Sequence, residues 1–165
     1  MNVDIPNGTR VRFHLTCTSD DEVWESNFDL IFSAPVLSVN NMVNTDLTPG
    51  GDGTLTFDLA NLGGADADNC VFEVYSSSND LALEGNSFEI PSIASGETVS
   101  FPVNLTVGSN VEEGATYEIS YLLTSGHYSV TGSYIVTVGN IIEGCETGDF
   151  SMYNWMFSGA ANWYI

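Results

Sequence analysis

The sequence contains no lysine and only two arginines, Arg10 and Arg12, against 22 aspartate and glutamate residues, so its formal net charge is −20 at pH 7. Binding to nucleic acid or to an anionic lipid surface depends on clustered lysine and arginine side chains. The composition therefore excludes a nucleic-acid partner and direct membrane insertion from our predictions. It leaves room for calcium, which takes oxygen ligands such as carboxylates.

Long hydrophobic runs are also missing. No stretch approaches the roughly 20 apolar residues that span a bilayer, and Met1 is not followed by the basic and apolar segments of a signal peptide. The three cysteines, Cys17, Cys70 and Cys145, lie far apart and lack the short spacings of a zinc or redox site. We interpret them as small buried hydrophobic residues or bystanders, and a disulfide between Cys17 and Cys145 is left open.

Histidine is nearly absent. Nucleophilic catalysis needs a serine or cysteine beside a base, which is usually histidine, and the chain has only His14 and His127. We expect His14 at an outward position of an N-terminal strand and His127 in the turn "TSGHY". Neither has a nucleophile motif nearby, so we predict that the chain is not an enzyme.

What the chain does contain is alternation with a period of two. In "ETVSFPVNLTV" the five apolar residues from Val99 to Val107 alternate with polar ones, which predicts a strand with one buried face. Pro102 lacks an N–H, so we expect an edge or a bulge there. The segments "TLTFDL", "YEISYLL" and "SYIVTV" alternate in the same way, and short turn signals separate them. The predicted fold is all-β, an Ig-like antiparallel β-sandwich of about seven strands.

The same pattern predicts three segments. Residues 34–140 are predicted to form the sandwich, because a proline restrains the chain just before a new apolar strand and about one hundred residues is a common size for this fold. Residues 1–33 are predicted to be the end of a preceding β-sandwich domain, as two strands around an acidic turn at residues 19–22. Residues 141–165 are predicted to be the truncated start of a following domain.

The two flanks raise the question of association. Val11, Phe13, Leu15 and Cys17 are expected to face one way in the N-terminal hairpin, and a lone hairpin is barely stable in water. Unpaired strand edges are templates for pairing with another chain. We therefore predict that the flanking strands pair with each other or with a second copy, which would give a homodimer.

The run from residue 35 to residue 139, with "PVLSVNN", "GGDGTLTFDLANLGGADADNCVFEV" and "IPSIASGETVSFPVNLTV", resembles the Ig-like modules of the CARDB type found in bacterial surface proteins. Those modules typically show an "N-x-G" turn, which Asn61 and Gly63 match. They also show a glycine-glutamate step ahead of a phenylalanine, which Gly96, Glu97 and Phe101 fit. The resemblance implies a non-catalytic Ig-like module.

The closing stretch "EGCETGDFSMYNWMFSGAANWYI" resembles the opening of the cleaved-adhesin domains attached to gingipain-type cysteine peptidases. The residues that fit the order of that motif are Glu143, Glu146, Gly148, Phe150, Trp155, Gly159 and Trp163. Cys145 replaces the usual phenylalanine. The N-terminal segment is similar to the end of the region that follows the peptidase domain in such proteins. The resemblance implies a linking region in a secreted Bacteroidetes-type peptidase, at an extracellular or outer-membrane surface, with the catalytic cysteine and histidine outside this chain.

Calcium is the cofactor that we consider. Asp46 and Asp52 flank the glycine-rich turn "NTDLTPGGDG", and Asp66 and Asp68, with Asn69, lie in "GGADADN". Such loops supply both carboxylates and backbone carbonyls, but the spacing does not match an EF-hand, and aspartate and glycine also dominate ordinary turns. The adhesin resemblance separately implies calcium ligands at Glu143, Glu146 and Asp149.

Aromatic side chains offer a further alternative, because flat rings stack on sugars. We expect Tyr117, Tyr121 and Tyr134 to face the core, while Trp24 and Tyr128 are less constrained. The function predicted from the sequence is a spacer or interaction module whose partners are neighbouring domains, and host or surface proteins or glycans. The alternative is a calcium- or carbohydrate-binding adhesion module.

Overall fold

The computed structural model describes residues 5–139, and every structural statement below concerns that part of the chain. The predicted start of a cleaved-adhesin domain at residues 141–165, which contains Glu143, Cys145, Glu146 and Asp149, lies outside the described residues. The described part is all-β, and it contains no helix long and apolar enough to cross a membrane.

Ten strands follow one another along the chain. They are β1 (Thr9–Ser19), β2 (Glu22–Phe32), β3 (Leu37–Asn44), β4 (Asp52–Asn61), β5 (Ala67–Ser76), β6 (Leu81–Leu83), β7 (Ser87–Ile93), β8 (Thr98–Val107), β9 (Thr116–Ser125) and β10 (Tyr128–Thr137). Strands β3 to β10 form two four-stranded sheets, ordered β10-β9-β5-β7 and β3-β4-β8-β6, and all their pairings are antiparallel. The predicted antiparallel sandwich is confirmed. Its eight strands agree with the predicted number of about seven, and the three-residue β6 is the shortest of them.

The core lies between the two sheets and is built from the inward positions of the alternating strands. Phe57 of β4 and Phe72 of β5 are fully buried and meet edge to face, with ring centroids 5.0 Å apart. Such aromatic pairs favour this geometry because of the ring quadrupole. Tyr121 and Tyr134 stack at 5.6 Å beside Phe57, and the Tyr134 hydroxyl donates a hydrogen bond of 3.2 Å to the Val39 carbonyl. These two tyrosines therefore pack against the core, as predicted.

Pro102 lies in β8 on a stretch that β6 does not reach. β6 pairs with Leu105–Val107, and one further bond runs from the Glu84 N–H to the Asn104 carbonyl. Residues two apart in a strand direct their polar backbone groups to the same side, so residue 102 faces the open edge beyond Asn104. The predicted edge position is confirmed, and the missing N–H leaves no ladder bond unmade.

The strand registers give the sandwich two distinct ends. We call the end with the loops at residues 62–66, 94–97 and 126–127 the hairpin end, because β1 and β2 join the sandwich there. The far end carries the loops at residues 45–51, 77–80 and 108–115. The chain passes from the hairpin into the sandwich at Ala34. The last described strand, β10, runs to the far end, where the Gly139 N–H donates to the Leu47 carbonyl.

Strands β1 and β2 form a separate two-stranded ribbon with a two-residue turn, as predicted. One face is polar, with Arg12 donating to Asp29 at 2.8 and 3.1 Å. The other face is apolar and exposed, with Phe13 stacked on Phe28 at 5.2 Å. The ribbon meets the sandwich at its base, through Asn7 and through a hydrogen bond from the Tyr128 hydroxyl to the Ile5 carbonyl.

Candidate functional site

Asn61 organises the hairpin end of the sandwich. This side chain is fully buried at the end of β4, and both of its polar atoms are used. The side-chain oxygen accepts from the N–H groups of Val36 (3.1 Å) and Gly63 (3.0 Å), and the amide nitrogen donates to the carbonyls of Ala65 (2.8 Å) and Ile93 (3.0 Å). One residue therefore joins three loops, and its cost of burial is offset because every polar atom is bonded.

Gly63 is fixed by the same junction. A Cβ at this position would overlap the Ala34 carbonyl oxygen and would lie 2.5 Å from the Val36 nitrogen. Only glycine therefore lets the loop after β4 pass so close to the segment that leads into β3. The "N-x-G" pair recognised in the sequence is a structural device at the point where the chain enters the sandwich.

Gly96 and Glu97 close the neighbouring loop. Gly96 has φ = 76°, a left-handed conformation that favours glycine, and its N–H donates to the Asn61 carbonyl at 2.8 Å. The Glu97 carboxylate accepts from the Ala94 N–H at 3.0 Å. These contacts explain why a glycine-glutamate step precedes β8.

The hairpin is attached to this end by Asn7. The Asn7 side-chain oxygen accepts from the N–H groups of Ala34 (3.1 Å) and Gly64 (3.2 Å). Asn7 was not predicted from the sequence, because an asparagine two positions before a strand is typical of any turn. The attachment is narrow and polar.

The predicted calcium residues divide between the two ends. Asp66 lies at the hairpin end, where its carboxylate accepts from the Ser95 N–H at 2.9 Å. Asp68 is exposed beside it, and its backbone carbonyl accepts from the Ser125 hydroxyl at 2.8 Å. Asn69 has φ = 49°, a left-handed conformation that asparagine tolerates. Asp66 thus has a structural partner in the loop that contains Ser95.

Asp46 and Asp52 lie at the far end, where they line one open groove of about 600 Å³. Glu84, Asn104 and two threonines also line it. The Asp52 carboxylate accepts from the Thr106 hydroxyl at 2.9 Å, and the Glu84 carboxylate accepts from the Asn104 amide at 3.0 Å. Glu84 was not predicted, because it follows β6, a strand too short to show a period.

Within residues 5–139 no group of three or more histidine, cysteine, aspartate or glutamate side chains is close enough together to hold a metal ion. The structure brings Asp46 and Asp52 to one groove and places Asp66 and Asp68 at the opposite end. Calcium binding at either pair stays a prediction. The predicted ligands Glu146 and Asp149 lie beyond the described residues.

Among residues 5–139, His14 and Cys17 do not form a nucleophile-base pair, because they lie on opposite faces of the hairpin. His14 lies on the polar face of the hairpin, with its ring nitrogen 2.7 Å from the Asn27 side-chain oxygen. Cys17 is exposed on the opposite face. Cys70 is buried in the sandwich core, and that burial raises the pKa of its thiol above the ordinary value of 9.0. A raised pKa keeps the thiol protonated and unreactive near neutrality.

The remaining aromatic candidates are separated. Trp24 is 51% exposed in β2, and Tyr128 is half-buried at the start of β10. Tyr117 packs against the edge of the core and its hydroxyl donates to Asp80 at 3.3 Å. Sugar binding at Trp24 or Tyr128 stays a prediction.

Comparison with known proteins gives one family match. The sequence model of the CARDB family matches residues 34–125, which is more than half of the chain. No curated protein matches. Among solved structures, the chain is similar to one described as "Crystal structure of FixG-related protein from Vibrio parahaemolyticus", with 12% identity over 64% of this chain and 95% of that chain. The TM-score is 0.39, so neither a fold nor a function is taken from that protein.

Proposed function

Because the chain belongs to the CARDB family of bacterial Ig-like domains, we propose that it works as a non-catalytic spacer and interaction module in a multidomain protein. CARDB domains form a non-catalytic family. The proposed module comprises residues 34–140, with residues 1–33 and 141–165 belonging to its neighbours. Its mechanism is mechanical: a packed sandwich holds the two neighbours at a fixed separation.

The observation that carries this proposal is the position of the two ends of the module. Ala34 lies at the hairpin end and Gly139 at the far end, with the full length of the strands between them. Strands of about ten residues, at about 3.3 Å per residue, separate the two ends. The neighbours therefore attach at opposite ends of the sandwich. A module of this form adds length between its neighbours, as a spacer requires.

Both attachment points are held by hydrogen bonds, to side-chain oxygens at the hairpin end and to a backbone carbonyl at the far end. At the hairpin end, Asn7 and Asn61 fix the segment around Ala34. At the far end, the Gly139 N–H donates to the Leu47 carbonyl, and Leu47 is itself buried in the core. Fixed exits favour a stiff connection over a flexible one.

The cellular context is part of the same proposal. CARDB domains occur in extracellular and surface proteins of bacteria, and the closing stretch of the sequence resembles a cleaved-adhesin domain. We place the module at an extracellular or outer-membrane surface, between a gingipain-like cysteine peptidase and an adhesin domain. Its partners are then those neighbours, together with host or surface proteins or glycans.

Distances between spin labels in the full chain test the spacer function. Labels at Thr98→Cys and Glu112→Cys mark the two ends of the sandwich, and a second pair at Asp21→Cys and Glu112→Cys includes the hairpin. Cys17 and Cys145 are first replaced by serine, while the buried Cys70 stays. We expect one narrow distance for each pair, because packed sandwiches transmit strain and deform little.

A broad distribution for the Thr98 and Glu112 pair would contradict the spacer function. If only the pair with Asp21 is broad, the joint at Asn7 is a hinge and the stiff spacer is confined to residues 34–139. The Asn7→Ala variant is the matched control, because it removes the two hydrogen bonds that the Asn7 side chain accepts from the sandwich. It should broaden the distance distribution only for the pair that includes the hairpin.

Calcium binding at the far end is a second candidate function. It rests on Asp46 and Asp52, which line one groove at that end, and the remaining ligands of a calcium ion there would be backbone carbonyls and water. If calcium binds the folded chain there, millimolar calcium should raise the melting temperature more than magnesium does at equal ionic strength. The rise should be lost with Asp46→Asn and Asp52→Asn together and kept with Asp66→Asn. Equal effects of the two cations on all three proteins would leave only non-specific screening.

A further inference from the structure

The hairpin β1–β2 repeats the hairpin β9–β10 of the sandwich, position by position. Thr18 pairs with Val23 in the first hairpin, and Thr124 pairs with Ser129 in the second, so each residue has its counterpart 106 positions later. The same offset holds along the whole ladder without a gap. Both hairpins also have two residues between their strands.

The turns of the two hairpins agree as well. Gly8 has φ = 80° and its N–H donates to the Phe32 carbonyl at 2.8 Å; its counterpart Gly114 has φ = 85° and donates to the Val138 carbonyl at 2.7 Å. At the tip, Asp20 and its counterpart Gly126 are both left-handed, with φ values of 49° and 57°. Many hairpins share a register. Left-handed residues at the same positions of both turns are a more specific feature, and they indicate the same structural unit.

The two hairpins differ in what covers their apolar faces. In β9–β10 that face lies inside the sandwich, and its fully buried residues are Ile119, Leu123, Val136 and Val138. The counterparts in β1–β2 are Phe13, Cys17, Leu30 and Phe32, and all four are exposed. The first hairpin thus presents the side chains of a sandwich interior at positions where the described residues provide no opposite sheet.

The outer edge of β1 carries a second correspondence. Thr124 and Ser125 end β9, and their hydroxyls donate to the carbonyls of Val71 (3.4 Å) and Asp68 (2.8 Å) in the adjoining strand β5. Their counterparts Thr18 and Ser19 are identical residue types. Within residues 5–139, β1 pairs only with β2, so the side of β1 that corresponds to the β5 side of β9 has no strand.

We propose that the apolar face of β1–β2 and the outer edge of β1 bind a partner with the architecture of strands β3 to β8, which is an Ig-like module that lacks its last hairpin. A strand equivalent to β5 would extend the ladder at β1, and a sheet equivalent to β3-β4-β8 would cover Phe13, Leu30 and Phe32. The hairpin thereby completes a second sandwich of the same family. This inference rests on the proposed spacer function and deepens it, because it makes the neighbour at the hairpin end an Ig-like module and puts the proposed peptidase beyond that module.

A second copy of the hairpin fits less well than this partner. Two hairpins stacked face to face would cover Phe13 and Phe28, but they would leave the outer edge of β1 unpaired and the Thr18 and Ser19 hydroxyls without the carbonyls of a β5-like strand. The proposed partner accounts for both the face and the edge.

A fused chain tests the proposal. Residues 34–111, which contain β3 to β8, are placed directly before residues 6–165, so that the repeat itself supplies the junction. Hydrogen exchange of the β1 and β2 amides is then compared with that in the unmodified chain. We expect exchange to slow by at least about 100-fold, because it would then require opening of a packed sandwich and not of an isolated ribbon.

Two variants of the fused chain test the apolar face and the polar face of the hairpin separately. Phe13→Gln should abolish the protection, since the counterpart of Phe13 is the buried Ile119, whereas His14→Gln on the polar face should keep it. A third variant carries Phe13→Ile, Cys17→Leu, Leu30→Val and Phe32→Val, which copy the buried residues of β9–β10 and remove any mismatch with the fused strands.

The proposal is overturned if the hairpin amides exchange equally fast in the unmodified and fused chains, with the natural hairpin and with the matched one. It is also overturned if protection in the unmodified chain rises with protein concentration as a dimer forms, because a second copy is then the occupant. Neither result bears on the distance between Thr98 and Glu112, so the spacer function is tested separately.

Discussion

Asn61 shows how one polar residue sets the geometry of a loop cluster. The side chain of Asn61 supplies hydrogen-bond partners for the backbone groups of Val36, Gly63, Ala65 and Ile93, which lie in three separate segments of the chain. Buried polar groups of this kind are costly when a partner is removed. The recognition motif "N-x-G" therefore marks stability at the junction, and not a ligand.

We expect Asn61→Ala to lower the free energy of unfolding by about 3 kcal/mol, because several buried backbone groups would lose their partner at once. Urea denaturation measures the change. Asn41→Ala, at an exposed position of β3, is the control and should change the free energy by less than about 0.5 kcal/mol. Similar losses in the two variants would show that the Asn61 hydrogen bonds are not the source of the stability.

Cys70 predicts a dependence on alkaline pH. Burial raises the pKa of this thiol above 9.0, so above pH 9 the unfolded chain releases a proton that the folded chain keeps. The unfolded state is then favoured as pH rises, and stability is lost through the window between the two pKa values. The urea midpoint is measured from about pH 8 to about pH 11, a range that spans the ordinary pKa values of thiols and phenols. It should fall less steeply with pH for Cys70→Ala than for the natural chain.

Tyr121 has a raised pKa for the same principal reason, burial, and contributes to the same fall at higher pH. The two groups are separable because the thiolate and the phenolate absorb differently. Alkylation gives an independent check: Cys17 should react in the folded chain, and Cys70 only on unfolding. Equal slopes for the natural chain and Cys70→Ala would rule out the thiol as a contributor.

At the scale of elements, the strands with a clear period of two were predicted from the sequence, because each one buries a single face. β6 was not predicted, since three residues are too few to show a period. The repeat between the two hairpins was also invisible. Across it only Gly8, Thr18 and Ser19 are identical to their counterparts, because apolar side chains of one face exchange freely while volume and pattern are kept.

The far-end groove shows that a site formed by several strands is also hard to predict from the sequence. The sequence pointed to Asp46 and Asp52 through their glycine-rich turn, but Glu84 and Asn104 reach the groove from strands that are distant in sequence. Only the pairing of β4 with β8, and of β8 with β6, brings these residues together. A local motif can identify candidate residues in a loop. Neighbours on adjacent strands can be identified only when the strand register is known.

Pro102 protects the open edge of β8, and its replacement should expose that edge. Pro102→Thr restores an N–H directed away from β4, which gives another chain a donor for strand pairing. We expect the free energy of unfolding to change by less than about 1 kcal/mol and self-association to increase, as measured by light scattering. Ser100→Thr on the same strand adds no N–H and should stay unchanged. Equal association of both variants would assign the effect to threonine and not to the missing proline.

At the scale of the whole molecule, charge opposes the compact state. The net charge of −20 is carried by a chain with only two cationic side chains, and both of those lie in the hairpin beside Asp29. In the described sandwich the carboxylates therefore repel one another with no lysine or arginine to offset them. This repulsion is long-ranged at low salt and is screened within about 10 Å at 0.1 M ionic strength.

Glu89→Lys tests whether this repulsion between carboxylates lowers the stability of the folded chain. Glu89 is exposed on the edge strand β7, opposite Val71 in the register, so a lysine there introduces a cation without disturbing the core. At low ionic strength we expect a higher melting temperature than for the natural chain, with Glu89→Gln between the two, because the change removes repulsion from many carboxylates at once. Sodium chloride should raise the melting temperature of all three proteins and close the gaps between them, since screening replaces the effect of the substitution. A gap that persists at high salt would instead identify a local contact made by the new lysine, and the net charge would then be a property of the surface without consequence for folding.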